Sequence, residues 1–503
     1  MTTLWTSPRQ CLQVVNLPSS LRRAYSRSAT PGPLRPLRPS SYHHAERLRP
    51  HCPTRQHRRQ LLTLAIETSC DDTCVAILEK DSTGRARLHF NERRSLDISA
   101  YQGIHPLEAC SSHNTHLAEL IREALPALPK ADSAVKGTEG SHRGAAVLPV
   151  HGEPRLKPDF VSVTRGPGMA ACLVTGLNIA KGLAVAWDVP LLAVHHMQAH
   201  ALTPRLVGAL EKKDGTAEGV ADTQSPQFPF LSLLVSGGHT ILVSSRSLTE
   251  HSIVAESASL ALGNMLDQCA RMILPGEIIS ANAKLTMFGP LLEEFAFPGS
   301  TEETTQQYGY EYEPPARRCD EIAEFHSEFD WSLTPPLSES GSGKVAASTY
   351  NFNGFNGQVQ KLMQRKPNMG VDERRVLART TMRLVFEHLA TRVVWALRDT
   401  AEYQPKVKTL VLSGGVASNM YLRHVMRAML DARGYADVET IAPPVSLCTD
   451  NAAMIAWTGM EMYEAGYRSA LDIPLLRKWP LDHKDEGGGI LEVPGWHVVN
   501  EQS

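Results

Sequence analysis

The sequence predicts an α/β protein of two similar lobes with a ligand cleft between them. A short apolar strand, a polar turn and a second short strand occur together twice, at 61–78 and at 230–243. Strand, glycine-rich loop and helix follow one another at 409–430, which is the pattern of a layered α/β sheet. The chain has 503 residues, 42% hydrophobic and 21% charged, enough to bury a large core divided between two or more domains.

Taken in order, the first 60 residues stand apart. They hold eleven arginines, no lysine and one acid, Glu46. Arg-rich, Ser-rich, acid-poor composition is that of a mitochondrial transit peptide, and a disordered basic arm that meets RNA is the alternative. The folded part begins with a strand at 61–66, the turn Glu67 to Thr73 and a strand at 74–78. A helical stretch at 112–125, a strand at 160–163, the turn 165–168, a helix at 171–187 and a strand at 189–194 complete a first lobe over 61–204. The second lobe, 228–480, opens with strands at 230–235 and 241–243 around Ser236 to Thr240. A helix at 371–399, a strand at 409–412, the loop 413–419 and a helix through Leu430 follow, with 481–503 as a tail. Segments 131–158, 205–227 and 299–347 are rich in Gly, Ser, Pro, Glu or Thr and read as inserted loops.

Composition excludes some classes of function. Formal net charge is −2, so any surface that meets nucleic acid must be local. The nine cysteines form no CxxC pair, which argues against a zinc ribbon or a disulfide framework and fits a reducing compartment. No run approaches the ~20 apolar residues that span a membrane, so no membrane partner is expected.

The chemistry-bearing signal is the histidine pair His196 and His200. Four residues apart at the start of a helix, two imidazoles stack on one face and can offer two nitrogens to one divalent metal. Asp450 is the best candidate for a third ligand, although a carboxylate opening a helix is on sequence grounds more readily an N-cap. A metalloprotease is poorly supported, because Met197 stands where HExxH needs its glutamate. The loops at Glu67 to Thr73, Ser236 to Thr240 and Ser413 to Asn419 each follow an apolar strand and suit phosphate oxygens approaching backbone N–H groups. There is neither a GxxxxGK[ST] motif nor a strand-linked GxGxxG.

The ordered motifs Ile66 to Thr73, Gly166-Pro167-Gly168, His195 to His200, Leu234 to Thr240, Gly414 to Asn419 and Cys448 to Asn451 resemble the tRNA N6-adenosine threonylcarbamoyltransferase family, over about 61–479. The Arg-rich leader points to its mitochondrial branch. The resemblance implies a duplicated actin- and Hsp70-like ATPase fold. It implies transfer of a threonylcarbamoyl group from threonylcarbamoyl-adenylate to N6 of adenosine 37 in mitochondrial tRNAs reading ANN codons, with release of AMP. It implies one divalent cation per subunit on His196, His200 and Asp450, its identity open among zinc, iron, manganese and magnesium. Adenylate contacts map to Leu234, Val235, Ser236, Gly237, Gly238, Asp267, Gly289 and Asn419, and no residue is named as the general base. A homodimer in the mitochondrial matrix is expected.

The chain departs from the family pattern in places. Gly263-Asn264-Met265-Leu266-Asp267-Gln268 keeps the aspartate of the usual Gly-Glu-Ala-Phe-Asp-Lys and loses two charges. A stretch from Glu277 to Phe288 precedes Gly289, and Ala109-Cys110-Ser111-Ser112-His113 keeps the family histidine without its arginine. His113 reads as a buried, hydrogen-bonded residue, while Asp71 and Asp72 could orient the amine or the metal's waters. The altered Asp267 neighbourhood keeps a non-catalytic nucleotide-binding scaffold as an alternative, and the phosphate loops keep a small-molecule kinase of the same fold.

Overall fold

Strand β1 (Leu61–Glu67) is the axis of the first lobe, and it is buried throughout, apolar but for Thr63 and the closing Glu67. The computed structural model describes residues 60–96, 105–131, 147–212, 225–257, 259–283, 285, 287–299, 308–336, 348–401, 405–485 and 487–499. The expected leader lies outside the described residues. After β1 come β2 (Asp72–Lys80), β3 (Ala86–Ser95), α1 (Pro106–Ala124), β4 (Val147–Val150), β5 (Glu153–Leu156), β6 (Phe160–Gly166), α2 (Ala170–Trp187), β7 (Leu191–His195) and α3 (His196–Glu211). The second lobe contributes β8 (Phe230–Val235), β9 (Thr240–Ser245), β10 (His251–Ser257), α4 (Leu262–Ile273), α5 (Gly289–Ala296), β11 (Phe325–His326), β12 (Ser332–Leu333) and β13 (Thr349–Tyr350). It continues with α6 (Asn353–Arg365), α7 (Val371–Asp399), β14 (Thr409–Ser413), α8 (Met420–Ala432) and β15 (Glu439–Ile441). The last elements are α9 (Ala452–Glu464), β16 (Tyr467–Ser469) and β17 (Trp496–Val498).

The first sheet runs β17-β16-β7-β6-β1-β2-β3 and the second β13-β10-β9-β8-β14-β15. In each, the axial strand pairs antiparallel with the next strand in sequence, which pairs antiparallel with a third. On its other side lie two further strands, each parallel to its neighbour: β6 and β7, or β14 and β15. This is the duplicated actin- and Hsp70-like plan. Helices cover both faces of the first sheet, which explains why β1 is apolar without alternation. On one face Leu64, Ile66 and Val75 pack with Leu117 of α1 and Leu177 of α2. On the other, Ala65, Cys74 and Leu78 pack with Leu202 of α3 and Trp457 of α9. A Cβ on Gly459 would stand 2.2 Å from Ser162 Oγ, so only glycine lets α9 approach β6 this closely. Helix α2 is long and apolar enough to cross a membrane by length and composition, but its Leu173, Leu177 and Ala180 are buried in the fold.

Several boundaries differ from those expected. Helix α9 packs on the first sheet and β16 and β17 extend its edge, so the C-terminal part of the span 228–480 and the tail both return to the first lobe. Residues 205–211 are not inserted loop but the end of α3, where buried Arg205 pairs with Glu461 (2.7 Å) and donates to the Pro226 carbonyl (2.5 Å). Within 131–158, β4 and β5 form a hairpin. Within 299–347, β11 and β12 form another, anchored by buried Trp331 and Leu333 in the second-lobe core. Apolar anchors buried there turn segments of loop-like composition into ordered structure. No disulfide joins the described cysteines.

Candidate functional site

The site lies where the ends of the axial strands face each other. Strand β7 ends at His195, which caps α3: its Nδ1 accepts the backbone N–H groups of Met197 (3.1 Å) and Gln198 (3.4 Å). Its Nε2 donates to the Trp479 carbonyl at 3.0 Å. Burial pushes its pKa down to about 3, so it is neutral. Helix α3 then presents His196 and His200 one turn apart, with their rings edge to face at 4.7 Å.

Asp450 completes the cluster from the loop before α9. The cap of α9 is Asn451, whose side chain accepts Met454 N–H at 2.9 Å, so the N-cap alternative for Asp450 does not hold. Its Oδ1 stands 3.1 Å from His200 Nε2 and 3.5 Å from His196 Nε2, and the two Nε2 atoms are 3.2 Å apart. Donors bound at about 2.1 Å on adjacent corners of a tetrahedron or octahedron lie roughly 3.0–3.4 Å apart. The observed spacing therefore fits one divalent ion, and the three residues form a possible metal site. Two imidazoles and one carboxylate leave further coordination positions for substrate or water.

His196 is held from behind. Glu67, buried at the end of β1, lies 3.3 Å from His196 Nδ1, and Ser69 Oγ lies 3.2 Å from it. Glu67 also accepts from Thr164 Oγ1 and Ser69 N–H. Burial would raise the Glu67 carboxyl, but the facing His196 holds it below its ordinary value. Burial would lower His196, yet Asp450 and Glu67 outweigh it and raise its pKa to about 9. Burial also works against ionised Asp450, which His196 and His200 hold well below the usual carboxylate range. The pocket thus concentrates negative potential where the nitrogens converge, as a cation site requires.

His113 is buried as expected, with Nδ1 2.7 Å from Thr73 Oγ1 and Nε2 donating to the Cys70 carbonyl at 3.0 Å. It shapes the loop that carries Asp71 and Asp72. Arg93 joins Asp72 (3.3 Å) to Thr449 (2.9 Å), tying that loop to the one bearing Asp450.

The second lobe offers backbone where the first offers side chains. Leu234 and Val235 are buried at the end of β8, so only their backbone can meet a ligand. In the turn to β9, Ser236 N–H donates to the His239 carbonyl at 2.8 Å, and Ser236 Oγ accepts the N–H groups of Gly238 (3.3 Å) and His239 (3.0 Å). A Cβ on Gly237 or Gly238 would meet nothing within 4 Å, so this face is open. A Cβ on Gly263, at the start of α4, would instead lie 2.5 Å from the Ser236 carbonyl oxygen, and one on Gly414 (φ +95°) 2.3 Å from that of Val235. These two glycines let α4 and the loop after β14 close on the turn. Asn419 caps α8 by accepting Leu422 N–H at 2.8 Å. Asp267 accepts the Phe288 N–H (2.5 Å) and Arg271 Nε (2.8 Å), which brings it to within one residue of Gly289.

Sequence reasoning did not single out Glu67, Ser69, His195 or His239. His239 is exposed at the turn tip, yet the surrounding cleft desolvates its imidazole and holds it below its ordinary value, with His196 and His200 adding to the effect. The one available signal for Glu67 was an acid ending a largely apolar strand.

The family model for tRNA N6-adenosine threonylcarbamoyltransferase matches residues 155–457. The mitochondrial tRNA N6-adenosine threonylcarbamoyltransferase of Schizosaccharomyces pombe is 33% identical over 448 residues, covering 87% of this chain and 89% of the relative. The tRNA N6-adenosine threonylcarbamoyltransferase of Rhizobium etli is 30% identical over 432 residues, covering 84% of this chain and 95% of the relative.

Proposed function

The chain belongs to the tRNA N6-adenosine threonylcarbamoyltransferase family, and from that premise we propose that it transfers the threonylcarbamoyl group of threonylcarbamoyl-adenylate to N6 of adenosine 37 in mitochondrial tRNAs reading ANN codons. The observation that carries this proposal is the convergence of His196, His200 and Asp450 in the first lobe, with the second lobe adding an open Ser236-Gly237-Gly238 turn.

The exocyclic amine of adenine attacks the carbamoyl carbon, the bond from that carbon to the phosphate oxygen breaks, AMP leaves, and the amine proton passes to solvent or a nearby base. A divalent cation held by His196, His200 and Asp450 would polarise the acyl phosphate as a Lewis acid. Glu67 and Ser69 orient His196, as partners of the other ring nitrogen do at such sites. The N–H group of Gly237 and the open face of the Ser236-Gly237-Gly238 turn suit the adenylate phosphate, with Asp267, Gly289 and Asn419 as further adenylate contacts. Holding amine and acyl carbon in line removes most of the entropic barrier, so no covalent enzyme intermediate is needed.

The relative named as mitochondrial and the Arg-rich leader support a place in the mitochondrial matrix. A homodimer is the assembly that the family resemblance suggests, and Leu107 of α1 (73% exposed) with Val174 (40%) and Val185 (64%) of α2 are exposed apolar side chains available to a partner. The purified chain, supplied with metal, threonylcarbamoyl-adenylate and unmodified mitochondrial tRNA, should yield threonylcarbamoyladenosine and AMP in equal amounts by mass spectrometry. No modified nucleoside under those conditions would overturn the proposal, and ATP-dependent phosphorylation of a metabolite would favour a kinase.

A further inference from the structure

We propose that His195 is a positioning residue: by capping the first turn of α3 it fixes where His196 presents its Nε2, while the C-terminal strap, residues 470–485 and 487–499, fixes the tautomer in which it caps. The proposal rests on the metal reading of His196, His200 and Asp450.

The imidazole is engaged at both nitrogens by partners far apart in sequence. Its Nδ1 accepts two backbone N–H groups and cannot carry a proton, so Nε2 carries it and donates to the Trp479 carbonyl. Turning the ring over would set carbon atoms Cδ2 and Cε1 where the two nitrogens now bond, and the other tautomer would set a donor against two donors and an acceptor against a carbonyl, so the partners fix both orientation and tautomer. Histidine is not among the usual capping residues, Ser, Thr, Asp and Asn. Its length lets one side chain satisfy the orphan donors of the helix and also reach the strap.

The strap end of this connection is itself anchored. Buried Arg165 donates from Nε to the Pro474 carbonyl (2.8 Å) and from Nη1 to the Pro494 carbonyl (3.0 Å), and its guanidinium lies 5.5 Å from the Trp479 ring centroid. Leu476 N–H donates back to the Arg165 carbonyl at 2.9 Å. Trp479, Leu481 and Ile490 pack with Met197 of α3 and Leu234 of β8, so the strap sits at the junction of the lobes. His196 is the first helical residue after the cap, and fraying of that turn would move it directly. Glu67 would then hold only the ring, not the backbone that carries it.

A packing role and a capping role part company under substitution. Leucine fills similar space and caps nothing, whereas asparagine is shorter and caps well. In the full chain, Zn²⁺ affinity is measured by competition with a chromophoric chelator, and hydrogen exchange at the Met197 and Gln198 amides is followed without metal. His195→Asn should stay within about threefold of the parent affinity and keep both amides protected. His195→Leu should weaken Zn²⁺ binding on the order of 10–100-fold and expose both amides. A folded leucine variant with parent affinity and protected amides would overturn the proposal, as would an asparagine variant as impaired as the leucine one. If His195→Leu does not fold, His195→Gln replaces it: polar but a poor cap, it should behave as predicted for leucine, and parent-like behaviour would overturn the proposal. Parent Zn²⁺ affinity in His196→Ala would sink the metal assignment, while amide exchange would still decide for or against the cap.

Discussion

The turn between β1 and β2 and the turn between β8 and β9 occupy equivalent places in the two sheets. The first, which follows Glu67 at the end of β1, contains Thr68, Ser69, Cys70 and Asp71, and the second contains Ser236, Gly237, Gly238 and His239. The first end supplies buried polar side chains, Glu67 and Ser69, set against His196. The second supplies exposed backbone, with open space where a Cβ of Gly237 or Gly238 would stand. Duplication thus preserved strand order while the two copies took different chemistry, a side-chain cradle suited to a cation and a backbone cradle suited to a phosphate.

The largest expected effect breaks the first cradle. His196→Ala or Asp450→Ala should lower turnover by roughly 10³-fold or more, since Lewis-acid stabilisation is worth several kcal/mol. Thermal melting should hold in Asp450→Ala and fall in His196→Ala, which leaves the buried Glu67 carboxylate without its partner, and metal content measured on the folded samples should fall in both. Retained metal in both variants would refute the assignment.

The second cradle separates ligand contact from fold. Gly238→Ala adds a methyl in open space and should weaken adenylate binding about tenfold with little change in melting temperature, because it crowds a backbone phosphate site. Gly414→Ala puts a methyl 2.3 Å from the Val235 carbonyl oxygen at φ +95° and should cost stability, about 1–3 kcal/mol. Calorimetry of both variants with and without adenylate tests the contrast, and equal destabilisation would contradict it.

A smaller effect comes from His251 in β10, buried between Ser245 Oγ (2.8 Å) and the Leu248 carbonyl (2.9 Å). Burial pushes its pKa down to about 4 from 6.5. A depressed histidine binds its proton more weakly folded than unfolded. Its contribution is therefore full above pH 6.5 and lost as pH falls through 4, up to about 3 kcal/mol. Urea unfolding across that range should show the loss, and His251→Gln should flatten the slope; an unchanged slope would remove His251 from the account.

Local features were legible in the sequence. The apolar runs of β1 and β8 with polar turns after them gave both hairpins, and α7 falls where its periodicity placed it, at Val371–Asp399. The histidine pair was legible because helical spacing is local. What escaped depends on distant partners. The return of β16 and β17 to the first sheet is a pairing of Ser469 with Leu191 and Trp496 with Ser469, for which no local pattern exists. Asp450 read more readily as a cap because sequence does not show that Asn451 takes that place. Glu67 and His195 act through residues 129 and 284 positions away.

The most direct measurement is metal-edge anomalous diffraction from crystals of the chain grown with Zn²⁺. One peak per chain, about 2.0–2.2 Å from His196 Nε2, His200 Nε2 and an Asp450 carboxylate oxygen, is the predicted result. A peak held by other residues, or none at this cluster with metal in excess, would contradict the account.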